Sequence, residues 1–170
     1  ESVIYNVNRK NNSLKFFEFG KTYHKFENEY SEQKHLTLFV SGNRTKESWN
    51  SAIKPSDFFY LKGVVSTVLE RLGIKNLKTS PTKNDVFSEG ITFSLGKIKL
   101  VDLGVVKKPI LKEFGIKQTV LFADFNWENI LKVGGKGQVK VSELPKFPSV
   151  KRDFALLLDE SVTFNEIYNL

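Results

Sequence analysis

Few side chains in this sequence combine the type and the spacing that chemistry needs. Glu18 stands inside Phe16-Phe17-Glu18-Phe19-Gly20. On a strand, Phe17 and Phe19 face one side and Phe16, Glu18 and Gly20 the other, because side chains alternate with a period of two. Glu18 then points either into a cleft or subunit contact, as a functional carboxylate would, or to the solvent side of a sheet. A single carboxylate without an identifiable partner does not define acid–base catalysis. His24 and His35 lie apart in polar company, with no HExxH or comparable ligand spacing, and read as surface histidines. Gly134-Gly135-Lys136-Gly137 lacks the GxxxxGK[ST] spacing of a phosphate loop and reads as a plain turn. Lys146, Lys151 and Arg152 flank a proline-containing turn ahead of an apolar run. They are candidate contacts to RNA phosphates, and an ordinary linker with Asp153 pairing locally is the equal alternative. With no cysteine, thiolate zinc sites, thiol nucleophiles and disulfides are excluded.

The 170 residues suffice for one good-sized domain, or for one domain plus a fragment. Hydrophobic residues make up 40% and charged residues 26%, an ordinary balance for a folded chain. No apolar run has the length a bilayer demands, so no membrane partner is expected. The first residues, ESVIYNVNRK, lack an apolar signal core. The chain starts without Met and stops at Asn169-Leu170, which reads as an excised piece of a cytoplasmic protein. The sequons at Asn11 and Asn43 are then chance matches. Net charge is +7, with pI near 9.5. The excess lies before Lys140 and is densest across Lys97, Lys99, Lys107, Lys108, Lys112 and Lys117. These lysines form either an RNA-facing patch or an ordinary solvated surface.

The elements that must position these groups are mostly strands. Ser2–Val7 and Leu14–Tyr23 read as strands across the polar turn Asn8–Ser13, and His35–Val40 as a third. Pro55-Ser56-Asp57 marks a helix start. Phe58, Leu61, Val64, Val65, Val68, Leu69 and Leu72 follow at helical spacing, and Gly73 closes the helix. Gly90–Leu95 and Ile98–Val106 are strands joined at Gly96-Lys97. Pro109–Phe114 is a short helix, Gln118–Phe125 a strand, and Asn126 a cap for a helix over Trp127–Lys132. Gln138–Ser142 reads as extended. Two prolines in Leu144–Pro148 mark a linker, Phe154–Leu158 a buried-type strand, and Thr163 the start of a helix. The fold class is α+β, an antiparallel sheet flanked by helices, over residues 1–143. Residues 144–170 are a linker and the cut start of a second domain, since one strand and part of a helix cannot bury a core.

Ile4–Arg9, LKFFEFGKTY (Leu14–Tyr23), Gly42 to Trp49, DFFYLKG (Asp57–Gly63) and LGKIKLVDLGVV (Leu95–Val106) together resemble the late part, the C-terminal region, of bacterial phenylalanyl-tRNA synthetase β subunits. Leu144–Leu158 resembles the opening of the ferredoxin-like anticodon-binding domain that follows there. The resemblance implies a degenerate class II synthetase core. Active class II domains carry an Arg shortly before a Glu in one strand and a Gly-rich motif ending in an Arg, and these bind ATP. Here the strand reads Lys15-Phe16-Phe17-Glu18, and the second motif has no counterpart before Leu144. The triphosphate would lack its cationic clamps. The implied role is a non-catalytic part of phenylalanine–tRNA ligase. The partners implied are the α subunit, in a heterotetramer of two α and two β subunits, and tRNA(Phe). ATP and Mg²⁺ are implied for the whole enzyme, with no cofactor on this piece. The family's editing domain and β-subunit Mg²⁺ site are expected upstream of Glu1, so no catalytic, cofactor or metal residue is assigned. The alternative function is an RNA-binding module acting independently of the α subunit.

Overall fold

The computed structural model describes the chain apart from Asn28, Lys46, Glu47, Ser51, residues 136–145, Ser149, Phe154 and residues 169–170, and gives Asn165 without its side chain. The chain forms two compact units, Glu1–Gln138 and Val139–Leu170.

The first unit is a six-stranded antiparallel sheet. Its strands are β1 (Leu14–Phe26), β2 (Glu29–Ser41), β3 (Lys78–Pro81), β4 (Phe87–Leu95), β5 (Ile98–Val106) and β6 (Val120–Asn126), in the spatial order β1-β2-β6-β5-β4-β3. The hairpin β1–β2 is paired from Leu14↔Ser41 to Phe26↔Glu29. β6 reaches only His35–Ser41 of β2, so the hairpin extends past the rest of the sheet.

One face of the sheet carries α2 (Phe58–Arg71). Leu61, Val65 and Leu69 recur every four residues and are fully buried, against Val101, Leu103, Leu121, Ala123 and Phe125. Each fully buried aliphatic side chain contributes about 1.5–3 kcal/mol. Asp57 caps this helix by accepting the Tyr60 N–H at 2.8 Å, and Arg44 pairs with it. The Tyr60 N–H, ahead of the Arg44 guanidinium, holds the Asp57 carboxyl below its ordinary range. α4 (Trp127–Val133) is capped by Asn126, whose side chain accepts the Asn129 N–H, and buries Ile130 on the same face.

The opposite face is covered at one end by α1 (Ser2–Asn8) and α3 (Lys108–Glu113). Val3, Ile4 and Ile110 pack there against the buried cluster of Val106, Leu111, Ile116 and Val120. The expected strand Ser2–Val7 is thus a helix. Its β-branched residues favour a strand locally, but one-turn contacts and the apolar bed beneath outweigh that preference. The Arg9 guanidinium sits 3.5 Å from the Tyr5 ring centre and Asn6 donates to the Ser2 carbonyl. The sequence carries no strand signal over β3. Lys-Thr-Ser-Pro is polar and ends in proline, which an edge strand tolerates.

In the second unit, residues 155–158 form no strand. Leu156 and Leu157 are exposed, and no neighbouring strand among the described residues pairs with this run. The expected strand there is corrected, with Phe154 itself outside the described residues. Thr163 precedes α5 (Phe164–Tyr168), and its N–H and hydroxyl both donate to the Glu166 carboxylate. Those bonds lower the Glu166 carboxyl's pKa. The expected extended run Gln138–Ser142 lies outside the described residues.

Candidate functional site

Residues paired across antiparallel strands share a face. Glu18↔Thr37, Thr37↔Asp124, Asp124↔Asp102, Asp102↔Thr92 and Thr92↔Ser80 are successive partners. They form one polar row across all six strands, on the face opposite α2. The next row is Phe16, Phe39, Phe122, Gly104 and Gly90. The Phe39 and Phe122 rings lie 4.6 Å apart, and Phe87 stacks on Phe122 at 6.0 Å. At Gly104 a methyl group would meet the Glu89 carbonyl and the Phe87 ring, so glycine lets β4 and β5 close up there.

The polar row is acidic. Asp102 is buried, accepts the Thr92 hydroxyl proton at 2.6 Å, and pairs with Lys99. Asp124 pairs with His35 Nδ1 at 2.7 Å, and His35 Nε2 lies 3.1 Å from the Thr22 hydroxyl. Glu18 is exposed at the junction of two hollows. One, of about 790 Å³, runs under α1 and α3. The other, of about 320 Å³, opens over the hairpin. Both are lined by Glu18, Phe39 and Phe122. Lys21, beside the smaller hollow, is bound to Glu32 at 2.7 Å, which raises its pKa. Among the described residues no three His, Asp or Glu side chains come together to hold a metal ion.

A triphosphate does not fit this face. Phosphate oxygens need unpaired cations or aimed N–H groups, and this row carries no Lys or Arg.

The sequence readings divide here. Glu18 is exposed on the sheet surface and also lines both hollows, so it matches features of both its readings. The reading of both histidines as surface groups fails for His35, whose side chain is only 15% exposed and held by Asp124. The two are 89 residues apart, so no local spacing could reveal the pair. His24 is exposed beside Phe26. Gly135 takes a left-handed turn just after α4, while Lys136 and Gly137 lie outside the described residues. Lys146, Lys151 and Arg152 are all exposed, in the second unit.

A family model for the phenylalanyl-tRNA synthetase beta chain CLM domain matches residues 1–127. This chain belongs to that family. The match lies in the N-terminal region of the chain and does not reach its C-terminal end. A phenylalanine–tRNA ligase beta subunit of Bacteroides fragilis is 40% identical over 98% of this chain, which spans 22% of that relative. One from Porphyromonas gingivalis is 36% identical over 100% of the chain and 22% of its own length. One from Listeria monocytogenes is 32% identical over 94% of the chain and 20% of its own. The chain thus spans about a fifth of these curated relatives. Among solved structures, a pyrrolysyl-tRNA synthetase from Desulfitobacterium hafniense superposes with TM-score 0.56 at 16% identity, covering 78% of this chain and 46% of that one. A second structure of that enzyme gives 0.57 at 17% identity, covering 76% and 44%. That likeness concerns the fold, and it bears out the α+β, class II-like sheet.

Proposed function

We propose that this chain is a non-catalytic part of phenylalanine–tRNA ligase, supporting assembly with the α subunit and the charging of tRNA(Phe). The observation that carries the reading is the acidic, aromatic-walled face. A class II-like sheet that carries Phe16 rather than a cation ahead of Glu18, and no Lys or Arg along the row of Glu18, Asp124 and Asp102, is suited to packing rather than adenylation. In this reading ATP and Mg²⁺ serve the α subunit, within a cytoplasmic heterotetramer. Residues 144–170 open an anticodon-binding domain, and Lys146, Lys151 and Arg152 touch tRNA phosphates.

Two measurements test it. The chain, co-expressed with a phenylalanine–tRNA ligase α subunit from a Bacteroides relative, should co-purify with it. Alone, it should catalyse no phenylalanine-dependent exchange of pyrophosphate into ATP. Exchange by the chain alone, or failure of the folded chain to retain the α subunit, refutes the reading.

A further inference from the structure

The basic excess of the first unit is densest across six lysines, and the fold sorts them. Lys99 is drawn to Asp102, and Lys97 sits in the β4–β5 turn. The other four, Lys107, Lys108, Lys112 and Lys117, line a single hollow of about 900 Å³ beside α3. Lys108 and Lys112 stand one turn apart on that helix, so their side chains project from the same side. Lys117 follows the turn at Gly115, where φ is +67°, which brings the chain back to the same hollow.

The charge there is open. Lys107 has a long contact of 3.8 Å to the fully exposed Asp85. Lys108, Lys112 and Lys117 are exposed and have no acidic partner among the described residues. No Asp or Glu lines the hollow, while Ser88, Gln118 and Thr119 add neutral polar groups to it. The lining is mostly apolar, through Val105, Val106, Pro109, Leu111 and Ile116, and the four lysines supply its cations. Compact cations with neutral hydrogen-bonding neighbours are the chemistry that holds phosphodiester oxygens, fixing a backbone in place without reading bases. The lining has neither the exposed aromatic rings that stack bases nor a guanidinium fork.

We infer that the lysine hollow beside α3 is a binding site for the RNA phosphodiester backbone, separate from Lys146, Lys151 and Arg152. It is independent of sequence, and it lies in the first unit.

The test uses the whole chain and two fluorescein-labelled single-stranded RNA 20-mers of unrelated sequence, read by fluorescence anisotropy. Each neutralised phosphate of a single strand contributes about 0.7 to the slope of log affinity on log salt, so four contacts contribute about 3. Affinity should fall about fifty-fold between 50 and 200 mM salt from these contacts alone. Changing Lys107, Lys108, Lys112 and Lys117 to Gln should remove about 3 from the slope, with unchanged circular dichroism. Changing the same four to Arg should restore binding, since charge rather than shape is used. Changing Lys146, Lys151 and Arg152 to Ala should leave the contribution of the hollow in place. The inference is overturned if the fourfold Gln variant keeps the wild-type slope, if the two RNAs differ more than tenfold, or if poly-glutamate of equal length binds as tightly as RNA. Retention of the α subunit is read separately, so failure here leaves the assembly reading standing, and the reverse.

Discussion

Replacing Thr92 by Val probes the buried carboxylate at the centre of the acidic row. Asp102 is 3% exposed, and its Oδ1 accepts the Thr92 hydroxyl at 2.6 Å, while Lys99 holds the other oxygen from the solvent side. Valine keeps the branched shape and removes the donor. A hydrogen bond to a charged, buried acceptor contributes about 1.5–3 kcal/mol. Lys99 stays in place, so the cost should sit in the lower part of that range, about 2 kcal/mol. For a unit of this size that lowers Tm by roughly 6–8 °C. Urea unfolding followed by circular dichroism should show a lower midpoint with an unchanged slope, because the surface exposed on unfolding is the same. Thr92→Val in an Asp102→Asn background removes only a neutral hydrogen bond, about 0.5–1.5 kcal/mol. The cycle should therefore show a coupling on the order of 1 kcal/mol. A single Thr92→Val variant within about 0.5 kcal/mol of wild type would refute the claim that this carboxylate depends on its hydroxyl partner.

Gly104→Ala should cost about 2–3 kcal/mol, because the nearest obstacle is the Glu89 backbone carbonyl, and thermal unfolding would show it. Truncating Phe87 should not rescue that variant, since the backbone obstacle remains. Phe125→Ala, at a fully buried ring, should cost about 3–5 kcal/mol in urea. Asp57 has a folded pKa below its ordinary 3.8, so its contribution is complete above that value and is lost as pH falls through the lower folded one. An Asp57→Asn chain should accordingly lose less stability than wild type when acid titration passes below about pH 4. Changing Lys146, Lys151 and Arg152 to Ala should reduce the salt slope of tRNA(Phe) binding by about 2–3, measured on the assembled enzyme.

What the sequence made legible was what local chemistry determines. The α2 stripe from Phe58 to Leu72, the Asp57 and Asn126 caps and the Gly96 hairpin each depend on residues within a few positions of one another. The misreadings share one cause. Ser2–Asn8 becomes a helix because of an apolar bed supplied by residues 106–120. Residues 155–158 look like a buried strand but have no strand to pair with. His35 looks like a surface histidine until β6 brings Asp124 to its ring. The lysine-rich stretch lay between these cases. Its charge was visible, but the division into four lysines around one hollow and one spent on Asp102 required the fold.

The net charge of +7 points the wrong way for the face that matters most to the catalytic question. Basic character is concentrated beside α3, while the centre of the sheet is acidic. Phe16 shows why a small change would not convert that face. It stands two residues before Glu18, on the same side of β1, in the stretch where the class II resemblance implies an arginine. Its register partner is Phe39, which is stacked on Phe122, and Phe122 on Phe87. An arginine at 16 would enter this aromatic row and point its charge at Glu18, one step along the same face. On the proposed reading it is the aromatic row that turns this face into a packing surface, because Phe16 sets a ring against Phe39 where a phosphate site would need a cation.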